Sequence, residues 1–144
     1  MKQMQKAKLL LLVLILPIFF SGCATTAGKA FEMSESQVKL RAMQTRAFDT
    51  TDKKKMMQTV ISAMQDLDFI LDKADFDLGT ITGTKFIGIG VITMTVSVRP
   101  RGEKQLLVRA NAQYGTQSVD DPATYQDFFN TLEKALFLTS QQVD

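Results

Sequence analysis

The sequence predicts an α+β domain: an antiparallel sheet of about five strands with two helices packed on one face, in the order strand, helix, four strands, helix. Three observations lead there. Ile92, Met94, Val96 and Val98 alternate with Thr93, Thr95, Ser97 and Arg99, the period of a strand buried on one side. After Pro100-Arg101-Gly102-Glu103 turns the chain, Leu106, Val108, Ala110, Ala112 and Tyr114 repeat the alternation, opposed by Gln105, Leu107, Arg109, Asn111 and Gln113, so the two runs form an antiparallel hairpin. Residues 56–67 and 125–139 instead place their apolar side chains at helical spacing, and two helical stripes are enough to cover one apolar sheet face.

The other elements follow in chain order. Val38, Leu40 and Ala42 alternate with Lys39 and Arg41, which predicts a first strand over residues 37–48. Asp49-Thr50-Thr51-Asp52 then offers a helix start, with Asp49 or Thr51 accepting from free backbone N–H groups. Met56, Met57, Val60, Ile61, Met64 and Leu67 form one face of that helix, and Lys53 to Lys55, Gln58, Ser62 and Gln65 the other. The lysines read as a solvated helix start or as a contact for phosphate or an acidic partner; the methionines read as core or as an adaptable groove. Phe69 to Asp72 is a short apolar run, Lys73 to Asp77 has the composition of a turn, and residues 78–84 form a strand whose alternate glycines, Gly79 and Gly83, leave room against one face. Phe86-Ile87-Gly88-Ile89-Gly90-Val91 lacks the third glycine and the helix start of a dinucleotide fingerprint, and is read as a hairpin connection with glycines at positive φ. Asp121-Pro122 opens the last helix, whose stripe is Tyr125, Phe128, Phe129, Leu132, Ala135, Leu136 and Thr139.

Ahead of this domain, lysines at 2, 6 and 8 precede a run of about a dozen apolar residues that ends in Ser21-Gly22-Cys23. The run is shorter than the roughly 20 residues a spanning helix needs, and Pro17 interrupts it, so it reads as a cleaved signal. Phe20-Ser21-Gly22-Cys23 resembles the bacterial lipobox, with Phe20 where leucine is usual, and the resemblance implies diacylglycerol on the Cys23 sulfur and cleavage before it. An ordinary signal with an incidental cysteine is the alternative. The resulting partition is a signal peptide over 1–22, an acylated cysteine and flexible tether over 23–36, and a single domain over 37–144. Ala24 after the cysteine is similar to the sorting pattern that releases lipoproteins to the outer membrane of a Gram-negative bacterium, here with the domain facing the periplasm.

Charge and composition then exclude several classes. Of the 17 Lys and Arg three lie in the signal, so 14 remain against 15 Asp and Glu and the mature net charge is −1. A near-neutral surface argues against nucleic acid as a partner and leaves the acyl chains as the hold on the membrane. The chain has no histidine and a single cysteine, which removes Ser-His, Cys-His and His-containing metal sites; no enzyme activity, metal or cofactor is expected. Asp66, Asp68, Asp72, Asp75 and Asp77 lack the spacing of a calcium loop and read as a helix end followed by an acidic turn.

What remains is a surface. The polar sheet face carries Thr93, Thr95, Ser97, Arg99, Arg109, Asn111 and Gln113, with Arg101 in the adjoining turn and the apolar Phe86 and Ile87 beside it. Phe86, Ile87, Arg99, Arg101 and Arg109 are thus candidates for binding an envelope protein partner, unless Phe86 and Ile87 fold back beneath the C-terminal helix. The element order over about residues 37–140 resembles the helix-grip domains of lipoprotein component C of the outer-membrane β-barrel assembly machinery. The runs QTRAFDTTD (44–52), MQDLDFILDKAD (64–75), VRPRG (98–102), VRANAQY (108–114) and YQDFFNTLEKALFLT (125–139) resemble a group of small bacterial envelope lipoproteins of unassigned activity. The first resemblance is one of fold and carries over no site, and the second implies little beyond an envelope location. The domain is read as a non-catalytic interaction or assembly module because the helix stripes are just sufficient to cover one sheet face and leave no apolar surface to line a cavity; a carrier holding a lipid or small apolar ligand between helices and sheet is the competing reading. Mass spectrometry of the purified mature protein should find an acylated Cys23 and no residues 1–22, whereas a Cys23→Ser chain still cut after Gly22 and still membrane-bound would refute the lipobox.

Overall fold

The computed structural model describes residues 36–141, with side chains described as far as Leu138. The expected signal peptide, Cys23 and all of the expected tether but Ser36 lie outside the described residues. Two units are distinguished, Met1–Val38 and Lys39–Asp144; of the first, only residues 36–38 are described, and they are helical. The domain is α+β. Its elements are α1 (36–43), β1 (Thr45–Phe48), α2 (Lys53–Asp66), β2 (Ile70–Asp75), β3 (Thr80–Ile87), β4 (Gly90–Arg101), β5 (Gln105–Tyr114), β6 (Gln117–Ser118) and α3 (Pro122–Gln141). The strands form one antiparallel sheet in the order β1-β5-β4-β3-β2, with the two-residue β6 also paired to β5.

The β4–β5 hairpin is the centre of this sheet. Met94 pairs with Ala112, Val96 with Ala110 and Val98 with Val108, and all six are buried, together with Ile81 opposite Val96 on β3. They share one core cluster with Met56, Met57, Val60, Ala63 and Met64 of α2 and with Tyr125, Phe128, Phe129 and Leu132 of α3. Removing each large side chain from water contributes about 1.5–3 kcal/mol, so the cluster is the principal source of stability. Gly83 makes room for it, since a Cβ there would sit 2.9 Å from the Met64 Cε of α2.

Several expectations are corrected. Residues 37–43, expected to be strand, are helical together with Ser36 of the expected tether, and of the expected strand Thr45–Phe48 pairs with β5. The apparent alternation of Val38, Leu40 and Ala42 competes with the helical spacing of Leu40 and Met43; both of these pack on the core, while Val38 and Ala42 are exposed. Lys73 to Asp75, expected in a turn, continue β2, and the turn is moved to residues 76–79, where the Asp75 carboxylate accepts from the Leu78 N–H at 2.9 Å and Gly79 takes φ +70°. The residues 86–91 are mostly strand, with Gly88 and Ile89 alone making the connection; Gly88 has φ +59°, but Gly90 does not have positive φ. The α2 N-cap is Asp52, whose carboxylate accepts from the Lys55 N–H at 2.9 Å, and not Asp49 or Thr51.

A buried polar knot fastens α1, β1 and α3 to β5. Gln44, 2% exposed, donates from Nε2 to the Tyr125 hydroxyl at 3.1 Å, and that hydroxyl donates to the Val119 carbonyl at 2.6 Å. The Ala112 N–H also points to it at 3.4 Å, and the Gln44 carbonyl accepts from the Ala110 N–H at 2.9 Å. Above the knot Arg46 lies over the Phe129 ring at 4.9 Å and pairs with Glu133. Tyr125→Phe keeps the ring but removes the donor to the Val119 carbonyl and leaves Gln44 Nε2 only its longer bond to Asn111 Oδ1 at 3.4 Å, so it should lower unfolding free energy by about 1–3 kcal/mol in a denaturant titration with unchanged slope.

Candidate interaction surface

Along each strand the residues that alternate with the core ones make a second, solvent-facing side. The pairing sets them in cross-strand rows: Thr45, Arg109, Ser97, Thr80 and Asp75; then Asn111, Thr95, Thr82 and Lys73; then Gln113, Thr93, Thr84 and Ile70. Thr95, Arg109, Asn111 and Gln113 are exposed, and Thr80, Thr82, Thr84, Thr93 and Ser97 are half-buried among their neighbours. Hydroxyls link neighbouring strands: Thr82 and Thr95 are 3.2 Å apart, and Thr84 donates to the Asp72 carboxylate at 2.7 Å. Threonine is well suited to such a face, because its branched stem fits the pleat while its hydroxyl replaces water contacts.

The expected patch residues are all exposed, but they do not form one patch. Phe86 pairs with Val91 at one end of β4, and Arg99 pairs with Leu107 eight residues further along, about 26 Å away at strand rise. Arg109, opposite Ser97, is the diagonal neighbour of Arg99, and its guanidinium reaches the Gln44 Oε1 at 3.4 Å. Arg101 pairs with Gln105 at the β4–β5 turn, where Gln105 Nε2 donates to the Asp49 carboxylate at 2.6 Å. The arginines thus gather at one end and the apolar pair stands at the other. Phe86 and Ile87 themselves point to opposite sides of β3, a consequence of the two-residue period that their adjacency in sequence conceals.

On the core side, Ile87 lines a shallow cavity of about 140 Å³ with Phe69, Lys85, Ile92, Met94 and Asp127. Lys85 closes it by donating to the Leu67 carbonyl at 2.9 Å, with the Asp68 carboxylate at 3.6 Å. At the far end of the helices a second cavity of about 270 Å³ lies between Phe48, Asp52, Lys55, Met56 and Leu136. Three exposed apolar residues complete the Phe86 end: Ile70, opposite Thr84; Tyr114, which crosses over Gly90 where any Cβ would collide with its phenol; and Ile89 at the hairpin apex. Ile89 belongs to the apolar run 86–91 read from the sequence as a hairpin connection, whereas the residue pattern singles out neither Ile70 nor Tyr114 for this surface. Among the described residues no cluster of three or more His, Cys, Asp or Glu side chains suited to a metal ion occurs, and no helix is long and apolar enough to cross a membrane.

Compared with known proteins, the chain matches no family model and no curated protein sequence. At 67% exposure, Phe86 is outside the core, so Phe86→Ser and Ile89→Ser should each change unfolding free energy by no more than about 0.5 kcal/mol. Met94→Ala, by contrast, should cost about 2–5 kcal/mol. Equal losses in thermal unfolding for Phe86→Ser and Met94→Ala would place Phe86 inside.

Proposed function

We propose that this chain is an envelope lipoprotein, held through acyl chains on Cys23 to the outer membrane of a Gram-negative bacterium, whose periplasm-facing domain is a non-catalytic module for protein interaction or assembly. In this reading both long helices cover one face of the sheet, as in a helix-grip domain, and the threonine- and arginine-bearing face is the docking side. The observation that carries it is the pair Arg99 and Arg109, exposed and diagonally adjacent on a broad polar sheet face. Guanidinium groups on a rigid strand offer planar donors to a partner's carboxylates or carbonyls at little entropic cost.

The carrier reading draws on the cavity of about 270 Å³ beside Met56 and Leu136. Ligand sites run from about 300 to 1,000 Å³, so this space is small for a lipid chain, and the polar groups of Asp49, Asp52 and Lys55 rim it. Affinity capture of the mature protein from solubilised envelopes, with native mass spectrometry of the same preparation, separates the two. The module should bring down a defined protein whose recovery is lost in the Arg99→Ala/Arg109→Ala double variant, with the protein itself at its bare mass. A stoichiometric apolar ligand in the native spectrum, with capture indifferent to both arginines, would replace the module by the carrier.

A further inference from the structure

We propose that the β3–β4 hairpin tip is a second membrane contact, which dips into the lipid surface beside the acyl anchor. This deepens the function proposed above and rests on its lipid attachment. Pairing of β2 with β3 starts at Ile70–Thr84, and pairing of β5 with β4 ends at Tyr114–Ile92. Beyond those rows the rungs Phe86–Val91 and Ile87–Gly90 and the Gly88–Ile89 turn continue without a flanking strand, joined only by the Gly115 N–H to the Val91 carbonyl. At strand rise the finger projects roughly 10 Å, which matches the ~5–10 Å by which interfacial segments enter the headgroup and acyl boundary.

Its chemistry fits lipid better than protein. Phe86 is 67% and Ile87 47% exposed, and Ile89 is fully exposed at the apex. Between Lys85 and Arg99 no charged residue occurs. The Gly88–Ile89 connection carries no polar side chain that would orient a protein partner, whereas a bilayer needs no orientation. Tyr114, half-exposed at the base of the finger, is of the residue type that settles at headgroup level.

The chain's course brings the tip within reach. Twelve residues, 24–35, separate Cys23 from Ser36 at the start of α1, and even fully extended they reach no more than ~45 Å. Thr45 lies opposite Arg109 and Phe48 opposite Leu106, so β1 runs away from the tip, and the chain feeds into it at Gln44, beside Ala110, from the tip's half of the sheet. The tether's reach of up to ~45 Å exceeds the ~26 Å between the two ends of β4, so an anchored domain can bring the tip to the lipid.

The chain contains no tryptophan, so Ile89→Trp provides a single fluorescent reporter at an exposed position. The full acylated protein is reconstituted in vesicles of phosphatidylethanolamine and phosphatidylglycerol, with and without bromine on the acyl chains, and Cys23 acylation is read separately by mass spectrometry. The expected result is blue-shifted emission that loses most of its intensity in brominated vesicles, while Thr95→Trp, in the middle of the polar face, keeps aqueous, unquenched emission. Unquenched emission from Ile89→Trp on acylated, vesicle-bound protein overturns the tip contact and leaves the anchor standing. If Cys23 carries no acyl chain the anchor reading fails, and bromine quenching of Ile89→Trp on added vesicles still decides the tip either way. A blue shift that follows protein concentration and ignores bromine assigns the tip to a second copy and also overturns the proposal.

Discussion

The Tyr125 hydroxyl is the point on which the arrangement of the domain turns. It is fully buried, so its hydrogen bonds must be made inside the protein, and the groups that make them join Gln44, 81 residues away just before β1, to the nearby Ala112 on β5 and Val119 just before α3. Hydrophobic burial would accept α3 at many angles across a face of Met94, Val96, Val98 and Ala110. The phenol accepts few, because each misplacement leaves a buried donor or acceptor unmatched. Once α3 is fixed at its N-terminal turn, Phe128 and Phe129 fall into place, the two rings meeting edge to face at 5.1 Å, and Arg46 of β1 closes over Phe129. The knot therefore specifies the packing that the apolar contacts stabilise.

Where the chain repeats one period over many residues, the sequence was legible. β4 and β5 each keep strict alternation for at least seven residues, and α2 and α3 each keep helical spacing for three turns or more, so tertiary packing had no reason to override the pattern. Short stretches were misread because a few residues satisfy two periods. Val38, Leu40 and Ala42 fit a strand, but Leu40 and Met43 fit a helix equally well, and the partner positions on β5 were already taken by Thr45 to Phe48. β2 failed differently: ILDKAD is charged because it is an edge strand with a register shift between Leu71 and Lys73, and those charges discourage pairing with a further strand while giving it the composition of a turn.

The candidate surface was legible one face at a time. Alternation correctly sorted Thr93, Thr95, Arg99, Arg109 and Asn111 to the side away from the core. It did not convey distance along the strands, which is why Phe86 and Arg99 seemed neighbours and lie at opposite ends of a long β4. Nor did it distinguish the reasons for two glycines only two residues apart. Gly88 supplies a left-handed turn that an L-residue adopts at a cost, whereas Gly90 has ordinary backbone and is small so that Tyr114 can lie across it. Only the fold separates a conformational need from a steric one.

That steric need links core to tip. With Tyr114 laid across Gly90, the base of the projecting hairpin is braced by an aromatic ring, so the finger stays paired although no strand flanks it. A rigid finger loses little freedom on meeting a surface, and under the proposed acyl anchor a weak apolar contact would suffice, because such an anchor would hold the domain at high effective concentration near a bilayer. Such a contact would do more than strengthen attachment. One tether alone would leave the domain free to rotate, but a tether plus a tip would define an axis and present the row of Arg109, Ser97 and Thr80 at a fixed inclination. A docking face on a membrane protein gains most from orientation, since partners confined to the same surface approach from a restricted set of directions.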